Sequence, residues 1–473
     1  MTETHSFSLL SLLIFSPLPG AVLIRFLKNT KTIRLVALLT TILSLFTSLL
    51  ILNNFDNASH GFQFIEKIQW IPTRNIEYLI GIDGRSVLFL PLSFLLFTGV
   101  IIGSWTSIST LPKLYYALLL ILQSAILGIF CALDTILFFL YWEMTLIPIY
   151  FLISLWGVGP NRRYAAVKYT LFMLTSGVPL LFAFVILAFA HASVSLPAEL
   201  SFDYLQLLDT AIPENTQATI FFLLLIGFGA KAALFPFHTW LPTVAMEGPA
   251  SIAAIMTGLK LGLYGFIRFI VPLTPQAAQT FHWLLAGLGV IGIIYGAIVA
   301  MNQSNLRRML AYSSISHAGL VLLGIAAFNI QGIQGAIYQL LNFTLIAGGI
   351  YILTGFLHHR TGSTDTISLG GVANTMPLLA AFFFLFVLAS MGIPGTNGFI
   401  AEHLILLSAL QSHAGAGLAA LAGMVLSASY FLVIYKNAFL GRSEERRVGK
   451  ECRSRWSPSD SIKNRKHIKH DEV

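Results

Sequence analysis

Four ionisable side chains stand inside long apolar runs: Glu143, Lys231, Lys260 and Glu402. A charge at the centre of a bilayer costs about 2.5–3.5 kcal/mol on the most lenient scale, so such residues usually face a protein interior or water and mark an ion path. Glu143 lies in Leu140-Tyr141-Trp142-Glu143-Met144, in the middle of its run. Lys231 closes the stretch Gly227-Phe228-Gly229-Ala230-Lys231, and Phe235-Pro236-Phe237-His238-Thr239-Trp240-Leu241-Pro242 follows. Lys260 sits in Gly258-Leu259-Lys260-Leu261-Gly262, and Glu402 follows Ile393-Pro394-Gly395-Thr396-Asn397-Gly398-Phe399-Ile400-Ala401. Proline removes a helix hydrogen bond and glycine loosens the backbone, so a helix is expected to break near Pro236 and another near Pro394. Interrupted helices in corresponding halves of a transporter point to its ion site and often report an inverted repeat. Inside a membrane such breaks persist only where protein or water satisfies the freed backbone groups.

Burial disfavours a charge of either sign, and an opposite charge nearby favours it. A lysine taken out of water can therefore release a proton near neutral pH, and a carboxylate moved toward or away from it switches that proton on or off. A row of such groups bridged by water would carry protons across a membrane. His317, in Ser313-Ser314-Ile315-Ser316-His317, is a candidate for the middle of the row because histidine titrates near physiological pH. A hydrogen-bonded core histidine is the equal alternative there, and for the four charges the alternative is a set of ion pairs that only hold helices together. His238 is placed at the cytoplasmic end of its helix and His358-His359, beside Arg360, in a solvated loop; His403 faces away from Glu402 and takes no role.

The elements that must position these residues follow from composition. The chain has 473 residues, 56% hydrophobic and 10% charged, with mean hydropathy +0.79, whereas an average soluble domain is about 25% charged. Continuous rather than alternating apolar runs select an all-α integral membrane protein over a barrel. Runs of about 20 apolar residues are long enough to cross, and thirteen occur, near 7–26, 33–52, 87–107, 114–132, 135–156, 166–190, 217–237, 251–271, 282–301, 309–328, 333–356, 376–408 and 416–440. No basic residue precedes the first, and Arg25 and Lys28 follow it, so it is expected to be a span and not a cleaved signal peptide. The long connections 53–86 and 191–216 read as polar segments with scattered apolar residues.

Charge supports that count. With the connections numbered alternately, one side receives twelve Lys/Arg of residues 1–441 and the other receives Lys67, Arg74, Arg85 and Arg268, together with ten of the 14 acidic residues. The basic side is cytoplasmic by the positive-inside rule, which places the amino terminus outside. Half of the net charge of +8 sits in residues 442–473, so the basic balance is a topology signal and no nucleic-acid footprint. Two cysteines, Cys131 and Cys452, exclude a disulfide framework and an iron–sulfur cluster held by this chain alone. The twelve scattered histidines suggest no metal site, and no dinucleotide, Walker or H-E-x-x-H motif occurs.

Several of these stretches together resemble the antiporter-like subunits of respiratory complex I, and most closely their M-type branch. They are Gly229-Ala230-Lys231, Phe235 to Pro242, Glu247-Gly248-Pro249, Lys260 with Tyr264-Gly265, Arg307-Arg308-Met309 through His317, and Pro394 to Glu402. The resemblance runs from about residue 7 to 441. The M-type branch carries Glu at the position of Glu402, where the L- and N-type branches and the antiporter D subunits usually carry Lys. The resemblance implies proton translocation, with Glu143 and Lys231 as an input pair, Lys260 and His317 as a central relay and Glu402 as the output. It also implies other membrane subunits of complex I as partners, within the lipid bilayer. FMN, iron–sulfur clusters and quinone would be held by those partners, with no cofactor in this chain, in the inner (plasma) membrane of a bacterium. The expected division is 1–110 for N-terminal helices, 111–272 and 273–441 for two inverted antiporter-like repeats each with a broken helix, and 442–473 for a polar tail.

This sequence departs from the family pattern in three places. Asn342 stands where a histidine is frequent, which shortens the relay by one titrating group. Thr243 and Ala245 replace an Asp and a His after Leu241-Pro242, which alters the cytoplasmic entrance. The family has fourteen helices, and residues 442–473 stand in place of the last; a non-native junction is expected there, with a cytoplasmic partner-binding extension as the rival. The functional alternatives are a subunit of a Mrp-type cation/proton antiporter, a subunit of a related hydrogenase or CO2-uptake complex, and a non-conducting membrane scaffold.

Overall fold

The computed structural model describes residues 8–195 and 199–441; the expectation for the tail at 442–473 lies outside the described residues. Among the described residues, fifteen helices of eight residues or more carry the chain. They are α1 Leu9–Phe26, α2 Thr30–Asn53, α3 Phe89–Gly103, α4 Pro112–Cys131, α5 Thr135–Trp156, α6 Arg162–Val194, α7 Glu214–Lys231, α8 Trp240–Glu247, α9 Ala250–Leu273, α10 His282–Met301, α11 Leu306–Ala326, α12 Ile330–Thr361, α13 Pro377–Ser390, α14 Asn397–Ser412 and α15 Ala414–Leu440. Ten of them are long and apolar enough to cross a membrane. The shorter α3, and the broken pairs α7/α8 and α13/α14, occupy the other three expected spans. The chain is a multi-pass membrane protein.

The run from α4 to α9 and the run from α10 to α15 have the same order: three long helices, one broken pair and one long helix, the last being kinked at Lys260 in the first run. Each run ends in a widened π-turn, Phe266–Ile270 in the first and Lys436–Leu440 in the second. An odd number of crossings sets the second run in the opposite sense to the first.

Burial separates centre from rim. In α11, 94% of the apolar window is buried, against 28% in α2. The buried face of α2 is built from Ile33, Ala37, Thr41, Ser44, Ser48 and Ile51, while Leu39, Leu43 and Phe46 point outward. Small residues let helices approach closely where lipid offers no hydrophobic drive, and Ser44 Oγ lies 2.6 Å from Ser16 Oγ of α1.

The connection 53–86 is not merely polar coil. It contains an antiparallel hairpin, β1 Gln63–Ile71 and β2 Ile76–Ile82, turned through Pro72–Arg74 and a left-handed Asn75. The hairpin packs on the start of α1 and on the turn between α4 and α5, where Leu133 N–H donates to Leu79 O at 2.9 Å. Glu66 accepts hydrogen bonds from the backbone N–H groups of Leu10 at 2.9 Å and Ser11 at 3.3 Å, satisfying the first turn of α1. Lys67 pairs with Glu77 at 2.7 Å, and the hydrogen bond that its ammonium donates to that carboxylate raises the lysine's pKa. Arg268, assigned from sequence to the outer connection, instead lies in the π-turn of α9 and is 2% exposed. Its Nη1 and Nη2 each donate to Asp83 at 2.8 Å, and its Nε donates to Tyr264 Oη at 3.0 Å.

Asp134, just outside α5, is that helix's N-cap. Its Oδ1 accepts from Ile136 and Leu137 N–H at 2.8 and 2.9 Å, and Oδ2 accepts from Glu77 N–H at 3.1 Å. Burial pushes its pKa up from 3.8 to about 6, against the lowering effect of those backbone hydrogen bonds. A raised carboxyl pKa means that ionisation costs the fold, so this group's stability contribution is full below pH 3.8 and is lost as pH rises toward 6. The Asp134→Asn variant keeps the cap acceptor and loses the titration. Its stability relative to the unmodified chain should rise by up to ~3 kcal/mol between pH 4 and 6. Thermal unfolding of the assembled complex across that window checks this, and parallel pH curves would refute it.

Candidate proton path

The first broken helix ends at Lys231. Two freed carbonyls find donors within the break: Leu234 N–H bonds to Gly229 O at 3.0 Å, and the Trp240 indole N–H to Ala230 O at 2.9 Å. The break therefore survives in apolar surroundings. Lys231 Nζ donates to Trp142 O at 3.2 Å and Thr145 Oγ1 at 3.0 Å, and lies 3.8 Å from the centre of the Trp142 ring. A cation over an indole face is attracted by the ring quadrupole. Glu143, the residue after Trp142, is half-buried and its Oε1 has no partner within the protein. The expected pair thus shares one corner of the bundle, with the amine seated on the backbone of α5 and no carboxylate oxygen in ion-pair contact with it.

Lys260 interrupts α9 in a left-handed conformation, φ +45°. A side-chain-bearing residue there is strained by of order 1 kcal/mol or more. The kink turns Nζ onto α11, where it donates to Ser314 O at 2.5 Å and Ser314 Oγ at 2.6 Å. Lys260 is 4% exposed, and the Phe343 ring lies 5.0 Å away.

One helical turn further along α11 stands His317, packed on the same Phe343 ring. Tyr430 Oη donates to Ser313 Oγ at 2.9 Å, which leaves the Ser313 hydrogen free for His317 Nδ1 at 3.3 Å. With its hydrogen on Nε2, the imidazole donates to Ser390 O at 3.2 Å, a carbonyl freed where α13 stops. That same Nε2 is 3.8 Å from Glu402 Oε1. A cavity of about 30 Å³, bordered by Ser313, Ser314, His317 and Ser390, lies beside the ring; one water occupies ~30 Å³ in the liquid. Glu402 is 3% exposed and faces Gln339 Nε2 at 3.5 Å. Gly392 lies against its carboxylate at φ +63°, so both backbone and space demand glycine there.

The five expected residues therefore form two groups. Lys260 on Ser314, and His317 on Ser313 and beside Glu402, make one buried group along α11, and Glu143 with Lys231 make a second cluster. The groups adjoin through Gly262, whose backbone packs directly on Phe228 and Ala232 at the end of α7.

Other residues are placed differently from expectation. His238 lies within the first break and not at a helix end; it is 4% exposed, with Nε2 3.2 Å from Tyr295 Oη. His358 and His359 are no loop residues but the last turn of α12, which runs 32 residues to Thr361. Thr243 accepts from Lys168 Nζ at 3.0 Å, so the replaced entrance position is occupied by a hydroxyl–ammonium contact. Asn342 exchanges hydrogen bonds with Asn397, donating to its carbonyl at 2.9 Å and accepting from its amide at 3.0 Å. Sequence reasoning passed over Tyr430, a hydroxyl whose partner is 117 positions away and which no local pattern marks.

A family described as NADH:quinone oxidoreductase/Mrp antiporter, transmembrane, matches residues 132–427. The chain belongs to this family. It is 36% identical over 445 residues to NADH-quinone oxidoreductase subunit M of Rickettsia typhi, covering 92% of this chain and 88% of that one. It is 40% identical over 398 residues to NAD(P)H-quinone oxidoreductase chain 4 1 of Synechococcus elongatus, covering 82% and 73%. Among solved structures, respiratory complex I from Thermus thermophilus contains a chain that superposes with TM-score 0.82 at 27% identity, covering 92% of this chain and 89% of that chain. The matched family region contains both broken helices and the five candidate residues Glu143, Lys231, Lys260, His317 and Glu402.

Proposed function

We infer that this chain is the M-type proton-translocating membrane subunit of an NADH:quinone oxidoreductase. Electron transfer takes place on the flavin, iron–sulfur clusters and quinone of partner subunits, and this chain moves protons in response. The observation that carries the inference is the buried row of contacts along α11, Lys260 on Ser314, Ser313 on His317 and His317 beside Glu402. Glu143 and Lys231 take the proton in, Lys260 and His317 relay it, and Glu402 passes it on. A carboxylate near an amine holds the amine's proton, and its withdrawal releases it, so a charge displaced at one end of the row propagates to the other. Each proton moved against ~100 mV costs about 2.3 kcal/mol. Residues 111–272 and 273–441 act as two inverted repeats behind the N-terminal helices of 1–110. The excess of Lys and Arg on one side supports a plasma-membrane topology with the amino terminus outside.

The test is NADH-driven acidification of proteoliposomes holding the complete complex. Glu143→Ala and Lys231→Ala should each lower the proton-to-electron ratio while assembly is retained. A scaffold would instead leave pumping intact in any complex that assembles. A Na⁺-dependent pH gradient would select the Mrp-type reading.

A further inference from the structure

The guanidinium of Arg307 takes no part in the path. It is 2% exposed at the start of α11, Nη2 donates to Gly248 O, and Nε has no partner. Among the described residues no carboxylate is in ion-pair contact with it. Glu247 attracts it from outside ion-pair distance, so this buried cation is only partly balanced and has room for a further counter-charge.

Arg307 borders a cavity of about 170 Å³ among the ends of α3, α4, α5, α9, α11 and α12, lined also by Ser104, Tyr115, Ser251, His358 and His359. That is several times the ~30 Å³ share of one water. Its border includes no Asp or Glu. Tyr115 Oη donates to Ser251 Oγ at 2.7 Å, which leaves the Ser251 hydroxyl hydrogen free to point elsewhere. The cavity thus offers an arginine N–H, a serine O–H and two imidazoles, and no anion. It lies where six crossings end on the Lys/Arg-rich side, and basic pockets between helices on that side suit anionic head groups.

We propose that this cavity binds a phosphoryl group, its oxygens held by Arg307 and Ser251, with His358 and His359 at its mouth. Arginine's fork matches the geometry of phosphate oxygens. The same chemistry is presented by the headgroup of an anionic phospholipid and by phosphate from solution, and the experiment separates them.

The measurement is hydrogen–deuterium exchange on the detergent-solubilised complete complex, with peptides covering 103–111 and 355–362 as the local readout. Phosphatidylglycerol, inorganic phosphate and chloride at matched ionic strength are added in turn. At ten times its Kd a ligand should slow local opening about tenfold. Slowing by phosphatidylglycerol alone assigns a lipid, and slowing by phosphate, with or without the lipid, assigns the phosphoryl group itself. Arg307→Gln should abolish the effect. If that variant fails to assemble, His359→Ala at an exposed position should weaken the apparent affinity severalfold. No slowing with either ligand overturns the proposal, as does slowing that Arg307→Gln retains, or that His359→Ala leaves unaltered where only it assembles.

Discussion

Replacing Lys260 by methionine is expected to reduce proton pumping by the assembled complex about a hundredfold. Lys260 supplies the only titratable group on α9 that reaches α11, and its ammonium is bound to Ser314 alone. Without it a proton must cross the gap between the two clusters as an unshared charge in apolar surroundings. The lenient cost of that, about 2.5–3.5 kcal/mol, converts to roughly two powers of ten at 1.36 kcal/mol each. Lys260→Arg should block pumping as well, because arginine keeps the charge but does not release its proton. An arginine variant that pumps normally would show that the position needs only charge. A methionine variant that pumps normally would remove Lys260 from the path.

Separating Asp83 from Arg268 is the substitution expected to cost the fold most. Two 2.8 Å hydrogen bonds join them, and the guanidinium is almost wholly enclosed by Phe62, Tyr204 and Tyr264. Asp83→Ala leaves that cation without a partner, and removing one member of a buried pair costs about 3–5 kcal/mol. The chain should be largely lost from the complex on native gels. The double variant Asp83→Leu, Arg268→Met removes both charges and should recover much of the assembly. If the double variant is no better than the single, the pair is not what holds α9 to the segment before α3.

The crossings were legible because each is a run of about 20 apolar residues, a contrast that needs no partner to be seen. Glu143, Lys231, Lys260 and Glu402 stood out by the same contrast. The hairpin did not. Most side chains of β1 are exposed and its register slips between Gln63 and Glu66, so the strand has no regular buried face to write into the sequence. The hydrogen-bond partners were also hidden. Hydroxyls in these helices mostly bond to their own preceding turn, as Ser93, Thr257 and Thr354 do, and only the packing of α11 on α15 turns Ser313 and Tyr430 toward each other. His358 and His359 were misplaced because α12 is a dozen residues longer than a membrane requires, which carries its basic end into the last turn.

The paired amides of Asn342 and Asn397 act as a clasp. They tie the first residue of α14 to the middle of α12, and thereby fix how far Glu402 stands from His317. The distance between that carboxylate and the imidazole therefore depends on an amide pair that carries no charge and does not change with pH.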